Sequence, residues 1–186
     1  MSNAKAQNPY LSMGLKLMII ATVVVLLVTC VKFLTKDSIA KNTSKKIDTA
    51  ISELFPDGEV SVLSYELTEE ESRNVTAVYA IRQDGYIVGY CFDVTTVGFS
   101  GDVSFVVGIT TGAKVEGVKV ISHTETPSIG APLLTEEGML PTFKGLYTSK
   151  LSSVDSVSGA TYTSNAVISA VDIAAKIAEK IISDNG

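Results

Sequence analysis

Between Leu17 and Val31 the chain runs for 15 residues without a charge, LMIIATVVVLLVTCV, bounded by Lys16 and Lys32 and continued by Phe33-Leu34. The run has no polar face, so it cannot be a surface helix and belongs in a core or in lipid. As a helix it is about 22 Å long, against roughly 30 Å of bilayer hydrocarbon. Lysine stems that snorkel at both ends bring Leu11 to Leu34 into use. The expectation is one transmembrane helix over residues 17–34, behind an N-terminal tail of residues 1–16. A cleaved signal peptide is the competing reading. Lys5 and Lys16 form a charged leader, and Leu27-Val28-Thr29-Cys30 approaches a lipoprotein cleavage box, although Thr29 stands where such boxes carry Gly, Ala or Ser.

Charge divides unevenly around this segment. Residues 1–50 hold 7 Lys and 2 acids, while residues 51–186 hold 8 Lys or Arg and 18 acids, so an acidic body follows a basic leader. A body of that sign repels phosphate backbones, and no basic stripe with interleaved aromatics relieves it, which excludes direct nucleic-acid binding. Two Cys and one His cannot supply four ligands to a zinc or iron–sulfur site, so no metal site is expected. Lys32, Lys36, Lys41, Lys45 and Lys46 all follow the span, and by the positive-inside rule alone they would place the body in the cytoplasm.

From Asp37 to Phe55, Ile39, Ala40, Ile47, Ala50, Ile51 and Leu54 recur at helical spacing, which predicts a linker helix over residues 35–56, ended by Pro56-Asp57-Gly58. Five strand-like runs follow in a domain of residues 57–186: Val60 to Leu67, Val75 to Arg82, Tyr86 to Val94, Val103 to Ile109 and Val115 to Ser122. Asp84-Gly85 between two alternating runs is a hairpin signal. Gly98 to Gly101 reads as a flexible connection, and Gly112-Ala113-Lys114 turns the fourth run toward the fifth, which argues for a mostly antiparallel sheet. Residues 123–162 are irregular, with a short helix expected near Glu136 to Leu140. Val167, Val171, Ala174, Ala178 and Ile181 share one stripe of a helix from about Thr163 to Ser183, whose apolar face packs on the sheet. The fold class is α+β: a single N-terminal transmembrane helix, a mostly antiparallel sheet domain and a packed C-terminal helix.

The usual dinucleotide, P-loop, zincin and hydrolase motifs do not occur. What stands out is Asp155-Ser156-Val157-Ser158-Gly159-Ala160-Thr161-Tyr162-Thr163-Ser164, immediately before the last helix. A loop of small residues and hydroxyls opening onto a helix N-terminus offers unpaired N–H groups and the positive end of the dipole, which suit a phosphate. An Asx turn at Asp155 followed by Ser/Thr capping explains the same hydroxyls without a ligand.

Asp-x-x-Ser/Thr-Gly-Ala-Thr/Ser resembles the flavinylation motif of the FMN-binding domain family, found in the G subunit of the Rnf ion-translocating complex and the related C subunit of the sodium-pumping NADH:quinone reductase. His123-Thr124-Glu125-Thr126-Pro127-Ser128-Ile129-Gly130 is similar to the family's His-x-Glu-Thr-Pro-Gly-Leu-Gly loop. The strand ahead of it, Gly112-Ala113-Lys114-Val115 leading into Gly117-Val118-Lys119-Val120, matches too. Ser128 and Ile129 depart from Gly-Leu: a Gly at 128 could take a positive φ that Ser takes only at a cost, whereas Ile129 keeps an apolar surface for a ring.

The resemblance implies covalent FMN, joined through its phosphate to Thr161 by a flavin transferase that uses FAD. Ser158, Gly159 and Ala160 would shape the phosphate cradle, and Glu125, Thr126, Ile129 and Gly130 would lie along the flavin. Asp155, with Gly159, Ala160 and Thr161, would serve recognition by the transferase. His123 closes a strand, where a lone histidine is ordinarily structural. Tyr162 and Tyr147 could stack on the ring, burial being the commoner fate of such residues. No catalytic pair is expected, since a fixed flavin makes a relay.

The implied function is a membrane-anchored electron-transfer subunit of an ion-translocating ferredoxin:NAD oxidoreductase, with the other membrane and peripheral Rnf subunits as partners. Length favours the Rnf subunit over the quinone-reductase subunit, which carries a longer insertion. The resemblance puts the domain on the extracytoplasmic side of a bacterial or archaeal inner membrane, against the lysine count. A free-standing extracytoplasmic flavoprotein reductase and a flavin-free anchored binding module are the alternatives.

Overall fold

A computed structural model describes residues 9–184. Residues 1–8, which include Lys5 and half of the expected tail, lie outside the described residues. The chain falls into two units that divide between Ser44 and Lys45.

The first helix, α1, spans Pro9–Leu54 without a break. This differs from the two helices the sequence pattern predicts, 17–34 and 35–56, behind a tail as far as residue 16. The chain between Leu15 and Phe55 holds neither Gly nor Pro, so nothing in it interrupts the backbone ladder. Within the first unit, Ser12–Lys36 is a 25-residue stretch long and apolar enough to cross a membrane, with none of it buried. At 1.5 Å per residue it covers about 37 Å, more than a bilayer core requires. Its hydroxyls bond back to the helix, Thr22 Oγ1 to Met18 O, Thr29 Oγ1 to Val25 O and Thr35 Oγ1 to Val31 O, each at 2.8 Å. No hydroxyl of these three is left unpaired where lipid would make that costly.

The second unit is built on one antiparallel sheet, β1 (Glu59–Val62), β2 (Val75–Gln83), β3 (Tyr86–Val97), β4 (Asp102–Thr110) and β5 (Val115–Ser122), with the strands side by side in chain order. The β2–β3 hairpin turns on Asp84 (φ 51°) and Gly85 (φ 83°), the pair of positive angles that a two-residue turn of this hand needs. Alternation along β3 sends Phe92 and Val94 to one face and Cys91 to the other. The first face is covered by the last helix, α2 (Thr161–Asp184), through Val167, Val171, Ala174, Ala178 and Ile181. The second is covered by the end of α1 through Ile47, Ala50, Ile51 and Leu54, joined by Phe55. Ile39 and Ala40, earlier on the same expected stripe, are exposed.

Three local differences matter. The run Val60 to Leu67 is a strand only as far as Val62, with one further bond from Leu63 N–H to Val78 O at 2.8 Å. Leu63, Tyr65 and Leu67 still pack on the core without a ladder. In place of a helix near 136–140, residues 123–160 contain three 3₁₀ turns, Ala131–Leu134, Leu140–Phe143 and Thr148–Ser153. Pro132 and Pro141 begin the first two, and Gly138 packs where a Cβ would lie 2.4 Å from Pro132 O. The segment is anchored by Leu134, Met139, Leu140, Phe143 and Leu151, all buried. Finally, α2 starts at Thr161, two residues earlier than the apolar stripe indicates, which puts Thr161 in its first turn.

Candidate functional site

The site forms where three chain segments meet at one end of the sheet. Thr96 near the end of β3 donates a buried hydrogen bond of 2.9 Å to Ala166 O of α2, which fixes the start of that helix beside the β3–β4 turn. That turn is tight, with Gly98 N donating to Gly101 O at 2.8 Å and Val97 paired with Asp102, so the expected flexible connection is an ordered hairpin loop. Ser100 Oγ lies 3.3 Å from Thr126 Oγ1, and Thr124 Oγ1 donates to Ser100 O at 3.2 Å, which ties the loop after β5 to the same place.

These segments enclose a cleft of about 330 Å³. Phe99 of the β3–β4 loop forms one part of its wall. Glu125, Thr126, Ile129 and Gly130 form a second, and the helix start from Gly159 to Thr163 a third. This volume is at the small end of ligand clefts, which run from roughly 300 to 1,000 Å³.

Glu125 is 5% exposed. Its Oε1 accepts the Phe99 N–H at 2.6 Å, and its own N–H donates to His123 Nδ1 at 3.2 Å. The side chain fits only because its neighbours are glycines: a Cβ on Gly98 would lie 2.0 Å from Oε1, and one on Gly130 2.6 Å from Oε2. Among the described residues Oε2 has no hydrogen-bond partner. A carboxylate oxygen that is buried in a cleft wall and unpaired is costly unless something else donates to it. His123 itself is exposed and outside the cleft wall, so its contact with the site runs through the Glu125 backbone. Ser128 does not take a positive φ, so its replacement of the family's Gly strains nothing.

The start of α2 is open. Ala160 sits at the cap position and offers no side-chain acceptor, and the first turn carries no acid. Ser164 N–H bonds to Ala160 O, but among the described residues no acceptor takes the N–H of Thr161, Tyr162 or Thr163. Three orphan donors at the positive end of a 24-residue helix form an anion site. The loop before them is held by Ser164, whose hydroxyl accepts from Val157 N at 3.0 Å and donates to Ala160 O at 2.9 Å. The capping expected from Asp155 and the preceding hydroxyls is absent among the described residues. Gly159 supports the bend with φ +86°, an angle that favours glycine. Thr161 is exposed, so its hydroxyl is accessible at the cleft.

Phe99 and Tyr162 are both 68% exposed, with ring centroids 5.9 Å apart and planes tilted by 49°. Exposed aromatics beside a small apolar cleft are surface for a flat ligand. Tyr147 is not at the cleft: it bridges to Lys114, whose ammonium sits 4.6 Å from its ring centre. Neither Tyr147 nor Tyr162 is buried. Ser158 is exposed and off the cleft wall, and Asp155 is exposed on a neighbouring groove with Glu137 and Thr142. Phe99 and Thr163 belong to the cleft without any motif that marks them as site residues. A phenylalanine between two glycines in a hairpin turn is the signal that points to Phe99, since it has no core to enter.

Residues 98–176, which hold all three walls, match the FMN-binding domain family. This segment is similar to an FMN-binding domain. The chain that carries it is 25% identical over 140 residues to the G subunit of the Na(+)-translocating ferredoxin:NAD(+) oxidoreductase complex of Acetobacterium woodii, covering 69% of this chain and 68% of the relative. It is 31% identical over 126 residues to the G subunit of the ion-translocating oxidoreductase complex of Methanosarcina acetivorans, covering 64% and 60%. The corresponding subunit of Haemophilus influenzae is 29% identical over 122 residues, covering 63% and 59%. The match thus spans about three fifths of the length of the last two relatives. An FMN fits the chemistry of the cleft: orphan N–H donors for a phosphate, an apolar and aromatic wall for a ring, and an unpaired acceptor.

Proposed function

We propose that the chain is a membrane-anchored electron-transfer subunit of an ion-translocating ferredoxin:NAD oxidoreductase complex of the Rnf type, carrying FMN bound covalently to Thr161. The observation that carries this reading is the position of Thr161: an exposed hydroxyl on the first residue of a helix with three orphan N–H groups, in the cleft of the FMN-binding domain. The relatives named as G subunits of such complexes support the assembly.

In this reading the N–H groups of Thr161, Tyr162 and Thr163 hold the phosphate, Gly159 and Ala160 leave room for it, and Ser158 lies on the loop that frames it. Thr161 Oγ gives up its proton and bonds to the FMN phosphorus of FAD, with AMP leaving as the pyrophosphate bond breaks. Asp155 makes no hydrogen bond or ion pair among the described residues, and it serves the flavin transferase as a recognition point. Ile129, Phe99 and Tyr162 exclude water from the ring, and Thr126 and Gly130 shape the wall beside it. FMN supplies electron transfer in one- or two-electron steps. The chain's part is to hold it permanently and set its surroundings, with the electrons supplied and taken by neighbouring subunits. Residues 57–186 act as the flavin domain, and Ser12–Lys36 is its single-pass anchor in the inner membrane, with the domain outside the cytoplasm.

The test is co-expression with a flavin transferase. The denatured protein is expected to stay yellow and to gain the mass of FMN less one water, and Thr161→Ala is expected to lose both. An unmodified chain beside an active transferase contradicts the covalent reading. For the side of the membrane, the exposed position of Ser152 is changed to Cys and intact cells are treated with an impermeant thiol reagent. Labelling before lysis is expected, and protection until lysis contradicts the outside placement.

A further inference from the structure

The cleft is lined by walls of opposite chemistry. Its helix end offers three N–H donors and no acid, which favours an anion. The wall formed by the loop after β5 offers the reverse. Glu125 is buried to 5% exposure with Oε1 engaged by Phe99 N–H, and Oε2 is left without a partner. The Thr163 hydroxyl is close to it. It lies 2.6 Å from the point a Cβ on Gly130 would occupy, as Glu125 Oε2 does, so the two oxygens are no more than twice that distance apart.

We propose that Glu125 is a specificity-determining residue of the cleft, its free Oε2 accepting a hydrogen bond from an uncharged N–H or O–H donor of the flavin. Such a donor is either the imide N–H of the ring or a hydroxyl of the ribityl chain. An ionised carboxyl accepts hydrogen bonds and donates none, so a group without a hydrogen to give leaves Oε2 orphaned. The built character of the socket argues for a ligand role over packing. Two glycines make room for the carboxyl, one backbone N–H holds Oε1, and His123 holds the Glu125 backbone, yet one oxygen is spared.

This rests on the flavin reading of the cleft, and the test separates the two. Full-length chain made without a flavin transferase is purified in detergent and titrated with FMN, 3-methyl-FMN, riboflavin and lumiflavin, following flavin fluorescence. The same titrations are run on Glu125→Gln, in which the amide sets a donor against either Phe99 N–H or the ligand. Glu125→Gln is expected to weaken FMN at least ten-fold. If the donor is the imide, that loss disappears with 3-methyl-FMN; if it is a ribityl hydroxyl, it disappears with lumiflavin, which has none. Binding of FMN by a folded Glu125→Gln within two-fold of the parent overturns the proposal and leaves the flavin site standing. If the variant does not fold, the parent decides: a ten-fold preference for FMN over 3-methyl-FMN, or for riboflavin over lumiflavin, supports the assignment, and equal binding in both pairs overturns it. A folded parent that binds no FMN overturns this proposal, and the covalent reading is then decided separately by co-expression with the transferase.

Discussion

Asp93 and Glu125 are both buried carboxyls of the sheet unit, and they are buried for different reasons. Asp93 lies on β3, on the face that meets the end of α1, and is 9% exposed. Burial pushes its carboxyl above the usual range, and it lines no part of the cleft. Glu125, at 5% exposed, sits in a cleft wall with one oxygen held by a backbone N–H and the other spared. Burial alone therefore does not mark a site. What marks it is a socket that holds a polar group while leaving part of it unsatisfied.

The contrast between the two carboxyls breaks most readily at Gly98. Gly98→Ala puts a methyl 2.0 Å from Glu125 Oε1, so the carboxyl must leave its socket. We expect a loss of about 1–3 kcal/mol by urea unfolding together with loss of FMN binding by the unmodified chain; a variant that binds FMN normally would show that the socket is irrelevant. Ser164→Ala comes next. It leaves Val157 N–H without its acceptor and frees the loop ahead of Thr161, at a cost of about 1–2 kcal/mol. Flavin attachment should slow correspondingly in a timed transferase assay.

Phe99→Ala sharpens the contrast from the other side. An exposed ring contributes little to the fold, within about 0.5 kcal/mol, yet about 1 kcal/mol to holding a flat ligand. Unfolding midpoints should barely move while FMN affinity drops several-fold, and equal affinity would take the aromatic wall out of the site. The smallest effect is expected at Asp93. Because its folded carboxyl holds a proton more tightly than the unfolded one, the native state loses stability as pH rises from the ordinary aspartate range through the elevated one. Asp93→Asn should remove that decline from the profile of Tm against pH and leave FMN binding unchanged.

Much of the fold is legible in the sequence because it is local. Asp84-Gly85 fixes a hairpin, period-two alternation marks β2 and β3, strand-like runs mark β4 and β5, and the small-residue loop before α2 marks the place of Thr161. The continuity of α1 is obscured by a change from apolar to lysine-rich residues, which alters solvent but not backbone. The Glu125 socket depends on Phe99, 26 residues away, on Gly98 beside it, and on Gly130 of Glu125's own loop. No local period encodes such a meeting. The cap is hidden for a similar reason: the hydroxyl that holds the loop is Ser164, inside the helix, and not one of those before it.

The most direct measurement is fragment mass analysis of the peptide spanning residues 151–176 from protein co-expressed with the flavin transferase. Within five residues of Thr161, hydroxyls are also carried by Ser156, Ser158, Tyr162, Thr163 and Ser164. The account predicts FMN less one water on Thr161 alone, the exposed hydroxyl at the open helix start. Modification at another of these residues, or none with an active transferase, contradicts it.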